Sequence, residues 1–306
     1  MSDRLRAALG VAVSAVLLGL LLWAVPLGAV VTEVLSASAP LIAALVAVHG
    51  VMLLARVQRF ALLVNEPGLA SRHAFDAVFI GWLANLTLPA KAGELARPAV
   101  YARRSGMPLA GAVAAVLVER LIDLCSLAVL FYVVFAFGLP DGLPAWIELA
   151  AAVTGGIALV ALGGLGLLAG LGPFPAFQQG LRAIGGPRLF GALGWSAVIW
   201  ALEVLGAWLA IAAVGPLPPG AWAASAVLIV ATTLAVAAPA GPGGLGVEQW
   251  VTLLVLAAWG ISDVSAVSIS VLMLFAAAVL IVPAGLAAIA RTASIRPSKP
   301  PDGPWE

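Results

Sequence analysis

Residues 7 to about 25 contain no charged side chain, and further apolar runs follow at 39–55, 107–137, 145–171, 190–214 and 264–290. A helix of roughly 20 such residues matches the hydrocarbon thickness of a bilayer. With 63% of all residues hydrophobic and only 9% charged, no soluble fold of this length covers its own apolar surface. The runs lack the alternation of outer-membrane strands, and backbone groups in lipid must be hydrogen-bonded within their own segment. The expected fold class is an all-α polytopic membrane protein with about six full transmembrane helices. Residues 1–292 then form one transmembrane domain, and 293–306 a disordered, Pro-rich cytoplasmic tail.

The basic residues set the orientation, because cytoplasmic loops collect Lys and Arg. Arg4 and Arg6 precede the first run, which reads as a retained span because no small-x-small cleavage pattern follows it. Only Glu33 interrupts the short loop to the second run. Arg56, Arg59 and Arg72 then crowd a connection that also holds the turn signal Asn65-Glu-Pro-Gly. That connection is expected to be cytoplasmic, as are the Arg103–Arg104 pair, the loop with Arg182 and Arg188, and the tail with Arg291, Arg296 and Lys299. The turns at 138–142 and 216–220 carry no Lys or Arg and are expected outside. Of the 15 basic residues, Arg120 alone is expected in mid-span. Both termini are then cytoplasmic.

Two Pro/Gly breaks interrupt the apolar pattern. Residues 85–97 read Asn-Leu-Thr-Leu-Pro-Ala-Lys-Ala-Gly-Glu-Leu-Ala-Arg, and 238–248 read Ala-Pro-Ala-Gly-Pro-Gly-Gly-Leu-Gly-Val-Glu. Broken backbone at membrane depth is tolerated only where protein packs on it or water reaches it, so each break points to function. The charge bias puts the chain's entry and exit at each break on one side; two re-entrant hairpins are expected, with limbs that span fully, for eight to ten spans, as the alternative. Laying Glu94 on Glu248 also lays Gly106 on Gly260 without a gap. Half-repeats of roughly 39–138 and 190–290 follow, inverted in the membrane, with a substrate site expected where they meet.

The residues able to carry chemistry cluster around these breaks. A helix start freed by a break offers unpaired N–H groups to an anion. Lys91, Glu94 and Arg97 flank the first start, and Gly243, Gly244 and Glu248 the second, with Asn85 opening the first break. Lys91 and Arg97 reaching a headgroup layer, and glycines serving only a turn, are the plainer alternatives. Glu119 and Asp123 share one helix face, with Arg120 beside them and in reach of Asp123 or Glu94. Ionisable groups in mid-span face protein or water, so this set is either a buried cluster that fixes packing or a charge relay. Glu203 is a further candidate for the same cavity.

Other chemistries lack their residues. There is no Gly-x-x-x-x-Gly-Lys-Ser/Thr loop, and the two histidines, His49 and His73, belong to no metalloprotease motif. His49 reads as a polar packing residue and His73 as a loop residue. Cys125 stands alone, without a disulfide or zinc partner set. No metal is selected by the carboxylate spacing. No cofactor and no nucleic-acid partner is expected, and nothing selects an oligomeric state.

The segments Arg56-Val-Gln-Arg, Gly81-Trp-Leu-Ala-Asn, Leu88-Pro-Ala-Lys-Ala-Gly-Glu, Arg97, Arg104-Ser-Gly, Val118-Glu-Arg-Leu-Ile-Asp and Pro242-Gly-Gly-Leu-Gly-Val-Glu together resemble the lysylphosphatidylglycerol synthase transmembrane-region family. That family is similar to the flippase domain of the bacterial multiple peptide resistance factor. The resemblance implies an inner-membrane protein that moves an anionic phospholipid or a polyprenyl-linked lipid between leaflets. Related full-length synthases continue into a soluble aminoacyl-transferase domain, so the expectation is that this chain, ending at Glu306, does not make lysylphosphatidylglycerol. Membrane lipid is the expected partner. A membrane enzyme acting on lipid-linked phosphate or sugar, and a non-catalytic accessory subunit, remain the alternatives.

Overall fold

The computed structural model describes residues 3–66, 71–88, 92–136, 185–236 and 241–293, with isolated helical positions between 149 and 160. Among these residues there are ten longer helices and no strand. In chain order they are α1 (Asp3–Ala24), α2 (Leu27–Ser36), α3 (Ala39–Leu63), α4 (Arg72–Thr87), α5 (Ala92–Ser105), α6 (Leu109–Ala136), α7 (Pro187–Val214), α8 (Ala221–Ala235), α9 (Val247–Ala257) and α10 (Asp263–Ala293). The expected turn at 138–142, the loop with Arg182 and the tail beyond Ala293 lie outside the described residues, as does most of the expected span at 145–171.

Among the described residues three helices, α3, α7 and α10, are long and apolar enough to cross a membrane, with mean hydropathies of 2.0, 2.1 and 2.6. Helix α6, at 28 residues, reaches about 42 Å, but Glu119, Arg120 and Asp123 interrupt its apolar surface. The pair α1 and α2 amounts to a fourth span only if a bend of 84° is counted within it. Here the expected loop around Glu33 is corrected to a helix. Pro26 stops α1 and precedes α2 with extended backbone, and Leu27–Ser36 contains no further proline to prevent a new helix.

A second correction concerns α3. The run expected to end at residue 55 continues to Leu63, so Arg56 and Arg59 lie inside a helix and are buried. They are not in the connection expected to be cytoplasmic. The turn signal after them does end the helix: Asn65 takes φ 64°, and the Glu66 N–H donates to the Ala61 carbonyl at 2.8 Å. This left-handed stop satisfies a carbonyl that the last helical turn would leave open.

Both Pro/Gly breaks sit between paired helices, α4 with α5 and α8 with α9. In the first pair the backbones meet at Gly81 and Gly93. A Cβ on Gly93 would lie 1.8 Å from the Gly81 carbonyl oxygen, so only glycine fits. Helix α3 packs along α7, α4 on α10, and α8 on α6. Gly106 and Gly260, the pair matched in the sequence, both have left-handed backbone, φ 75° and 72°, between a hairpin's second helix and the long helix that follows.

Gly93→Ala is expected to destabilise the protein by at least about 1–3 kcal/mol through overpacking. Gly194→Ala, with nothing within 4 Å of its added Cβ, is expected to leave stability unchanged or raised. Thermal unfolding of the two variants in detergent checks this, and equal melting temperatures would contradict the close approach.

Candidate functional site

Helical spacing puts Met52, Arg56 and Arg59 on adjoining positions of the inner face of α3. The same spacing puts Glu119 and Asp123 together on α6. Arg59, fully buried, holds both carboxylates. Its Nη1 donates to Asp123 Oδ1 at 2.6 Å, and its Nη2 to Asp123 Oδ2 at 3.1 Å and Glu119 Oε1 at 2.8 Å. Nη1 also donates to Ser196 Oγ of α7 at 2.7 Å, and that hydroxyl donates to the Ala192 carbonyl at 2.8 Å. Arg97 of α5 pairs with the other Glu119 oxygen, and its guanidinium lies 4.3 Å from the centre of the Phe60 ring. Charges taken out of water persist only when paired and hydrogen-bonded in this way.

Two further guanidinium groups lie beside this core. Arg56 Nη2 donates to Glu203 Oε1 of α7 at 2.6 Å, and its guanidinium stands between Trp82 and Trp200, at 5.4 and 5.8 Å from their ring centres. Arg120 is shared among Asp123 at 3.3 Å, Glu119 at 3.5 Å and Glu94 at 3.6 Å. Its side chain is 37% exposed, against 0% for Arg59.

These groups border a cavity of about 290 Å³. Its charged lining is Arg56, Glu94, Arg120, Asp123, Glu203 and Glu248. Both hairpin breaks open on it, the first through Asn85 and Leu86, the second through Gly241, Gly243 and Gly244. The breaks also touch, since a Cβ on Gly243 would lie 3.3 Å from the Leu86 side chain. Asn85 Oδ1 accepts from the Gly93 N–H at 2.9 Å and so ties the two sides of the first break. The second break is held from outside by α1, where Ser14 Oγ accepts from the Gly241 N–H at 2.7 Å, and by Gln249 Oε1, which accepts from the Gly246 N–H at 2.7 Å. Gly243, Gly244 and Gly246 all have left-handed φ, between 61° and 84°, which explains the glycine run there.

Asn85, Glu94, Arg120, Asp123, Glu203, Gly243, Gly244 and Glu248 thus share one cavity. Arg97 and Glu119 stand behind its wall, paired to each other. Lys91 lies outside the described residues. Sequence reasoning missed Arg56 and Arg59, and it read His49 as packing although that ring lines the cavity. The available signal was a mismatch of charge: Glu119, Asp123 and Glu203 in mid-span exceed what Arg120 alone can balance. Asp76 was also missed. This buried carboxylate of α4 pairs with Arg104 of α5 and, at 2.5 Å, with Arg291 of α10, tying three helix ends together.

Among the described residues no group of His, Cys, Asp and Glu is arranged to hold a metal ion. The clustered carboxylates Glu119 and Asp123 face guanidinium groups instead. What the arrangement can do chemically is present counter-charges of both signs to a polar group inside an apolar helix assembly. Residues 7–285 match the family described as lysylphosphatidylglycerol synthase TM region, and the chain belongs to it. No curated protein and no solved structure matches the chain.

Arg59→Met is expected to cost about 3–5 kcal/mol, because it leaves buried carboxylates short of a partner. Arg103→Ala, at an exposed position, is expected to change stability by less than about 0.5 kcal/mol. Unfolding in detergent measures both, and an Arg59→Met protein as stable as the parent would contradict the buried network.

Proposed function

Starting from a member of the lysylphosphatidylglycerol synthase TM region family with two hairpin breaks on one charged cavity, we propose that this chain is a lipid translocase of the inner membrane. Its substrate is an anionic phospholipid or a polyprenyl-linked lipid. The observation that carries this reading is the single cavity onto which both breaks open. A passage for a headgroup needs polar lining where the surrounding helices are apolar, and it needs backbone irregular enough to rearrange.

The architecture that goes with this reading has six full spans, two re-entrant hairpins and cytoplasmic termini. Its halves, near 39–138 and 190–290, are inverted repeats. Three features support the repeat. The order of helix, hairpin, glycine turn and long helix recurs; Gly106 and Gly260 share their backbone conformation; and packing is reciprocal, with α4 on α10 and α8 on α6 around the α3–α7 pair. Such halves can rock about a shared site and expose it to each leaflet in turn.

Arg120 is the residue for the headgroup. Its guanidinium is partly open and held only at 3.3–3.6 Å by three carboxylates, so a phosphate can replace one of them at small cost. Arg97, expected from the sequence to share this part, is committed to Glu119, and it positions the cluster from behind. Arg56, between its two tryptophans, offers a second cation on the opposite wall. The acyl chains stay in lipid while the headgroup crosses.

In vesicles, the purified protein is expected to accelerate leaflet exchange of a labelled anionic phospholipid. Arg120→Ala should lower that rate at least about tenfold, equivalent to ~1.4 kcal/mol, while Arg103→Ala leaves it unchanged. No acceleration for any lipid class would overturn the reading, and loss of lipid mass in place of changed sidedness would point to an enzyme.

A further inference from the structure

Among the described residues, every charged side chain lining the cavity has an opposite partner except Glu248. Arg56 has Glu203, and Arg120 has Glu94 and Asp123, the latter also held by Arg59. Glu248 also lines the cavity, and among the described residues its carboxylate meets no cation. With Arg59, Arg97 and Glu119 included, four guanidinium groups stand against four carboxylates among the described residues before Glu248 is counted. Among these residues an ionised Glu248 adds one unbalanced negative charge, which repels an anionic headgroup.

We propose that Glu248 is a proton-binding site and that an anionic headgroup enters the cavity together with one proton carried on this carboxylate. The inference rests on the translocase reading with an anionic substrate. The proton comes from water in the cavity: a hydronium gives H⁺ to the Glu248 carboxylate, forming the neutral acid and water. The reverse transfer to water occurs as the anion leaves. Glu248 sits in the first turn of α9, on the cavity wall. The carboxylate lies beside the second break, with its Oε2 3.8 Å from where a Cβ on Gly244 would stand.

The elements packed on α9 bring no competing charge to this place. Helix α8 has no ionisable residue, α1 has none among residues 12–24, and α10 has only Asp263 and Arg291, at its ends. Across the cavity stand His49 and Arg56 of α3, Glu203 of α7, Glu94 of α5, and Arg120 and Asp123 of α6. His49 is the one other group there that titrates near neutrality when unperturbed, so the test must separate it from Glu248.

Calorimetric binding of short-chain phosphatidylglycerol to the detergent-solubilised full chain, in buffers of different ionisation enthalpy across pH 5.5–8.5, counts the protons taken up. The parent is expected to take up one proton per lipid at the alkaline end, with affinity falling up to tenfold per pH unit. Glu248→Gln should bind with flat affinity and no proton uptake, while Glu248→Asp and His49→Gln keep the slope. A slope that persists in Glu248→Gln, or that disappears in His49→Gln, overturns the assignment. Binding without proton uptake in the parent overturns the inference and leaves the translocase reading standing. Absence of binding at every pH overturns the anionic-headgroup reading and the proton linkage together.

Discussion

Arg59 is the interaction on which the interior depends. One guanidinium, removed from solvent, bonds to two carboxylates of α6 and one hydroxyl of α7 from its own place on α3. A planar fork of five donors suits this task, because several acceptors can be met in fixed directions at once. The carboxylates in turn reach Arg97 on α5 and Arg120 on α6. Four helices are thereby registered on one another by charge.

That registration explains the division of labour among the arginines. Arg59 and Arg97 are buried behind the cavity wall and hold it through Glu119. Arg56 and Arg120 line the cavity, and the partly exposed Arg120 has only longer contacts to its carboxylates. The same residue type serves structure or binding according to how many partners the fold supplies. The hairpin breaks follow a similar logic. Asn85 and Ser14 bond to backbone N–H groups that a broken helix leaves open, and the breaks then touch through Leu86 and Gly243.

Much of the site was legible in the chain. Glu94 and Glu248 drew attention because carboxylates beside Pro/Gly breaks are rare in apolar sequence, and both line the cavity. The glycine run at 241–246 marked a break or turn, and three of its positions have left-handed backbone. What stayed hidden was Arg56 and Arg59. Two arginines near the end of an apolar run look alike whether they reach the headgroup layer or turn inward, and the charge rule for loops favours the first. Helix α2 was hidden for another reason: ten residues make a helix too short to stand out by periodicity beside a longer apolar run.

By itself, then, the sequence determined the helical membrane class, the position of both breaks and the need for glycine at their turns. These are local consequences of apolar run length and backbone geometry. Only the tertiary structure decided which charges pair. Arg59 finds Glu119 from 60 residues away, and Arg56 finds Glu203 from 147. An ion pair in an apolar interior forms between whichever groups packing brings within reach, and helix packing brings together residues that spacing along the chain does not connect.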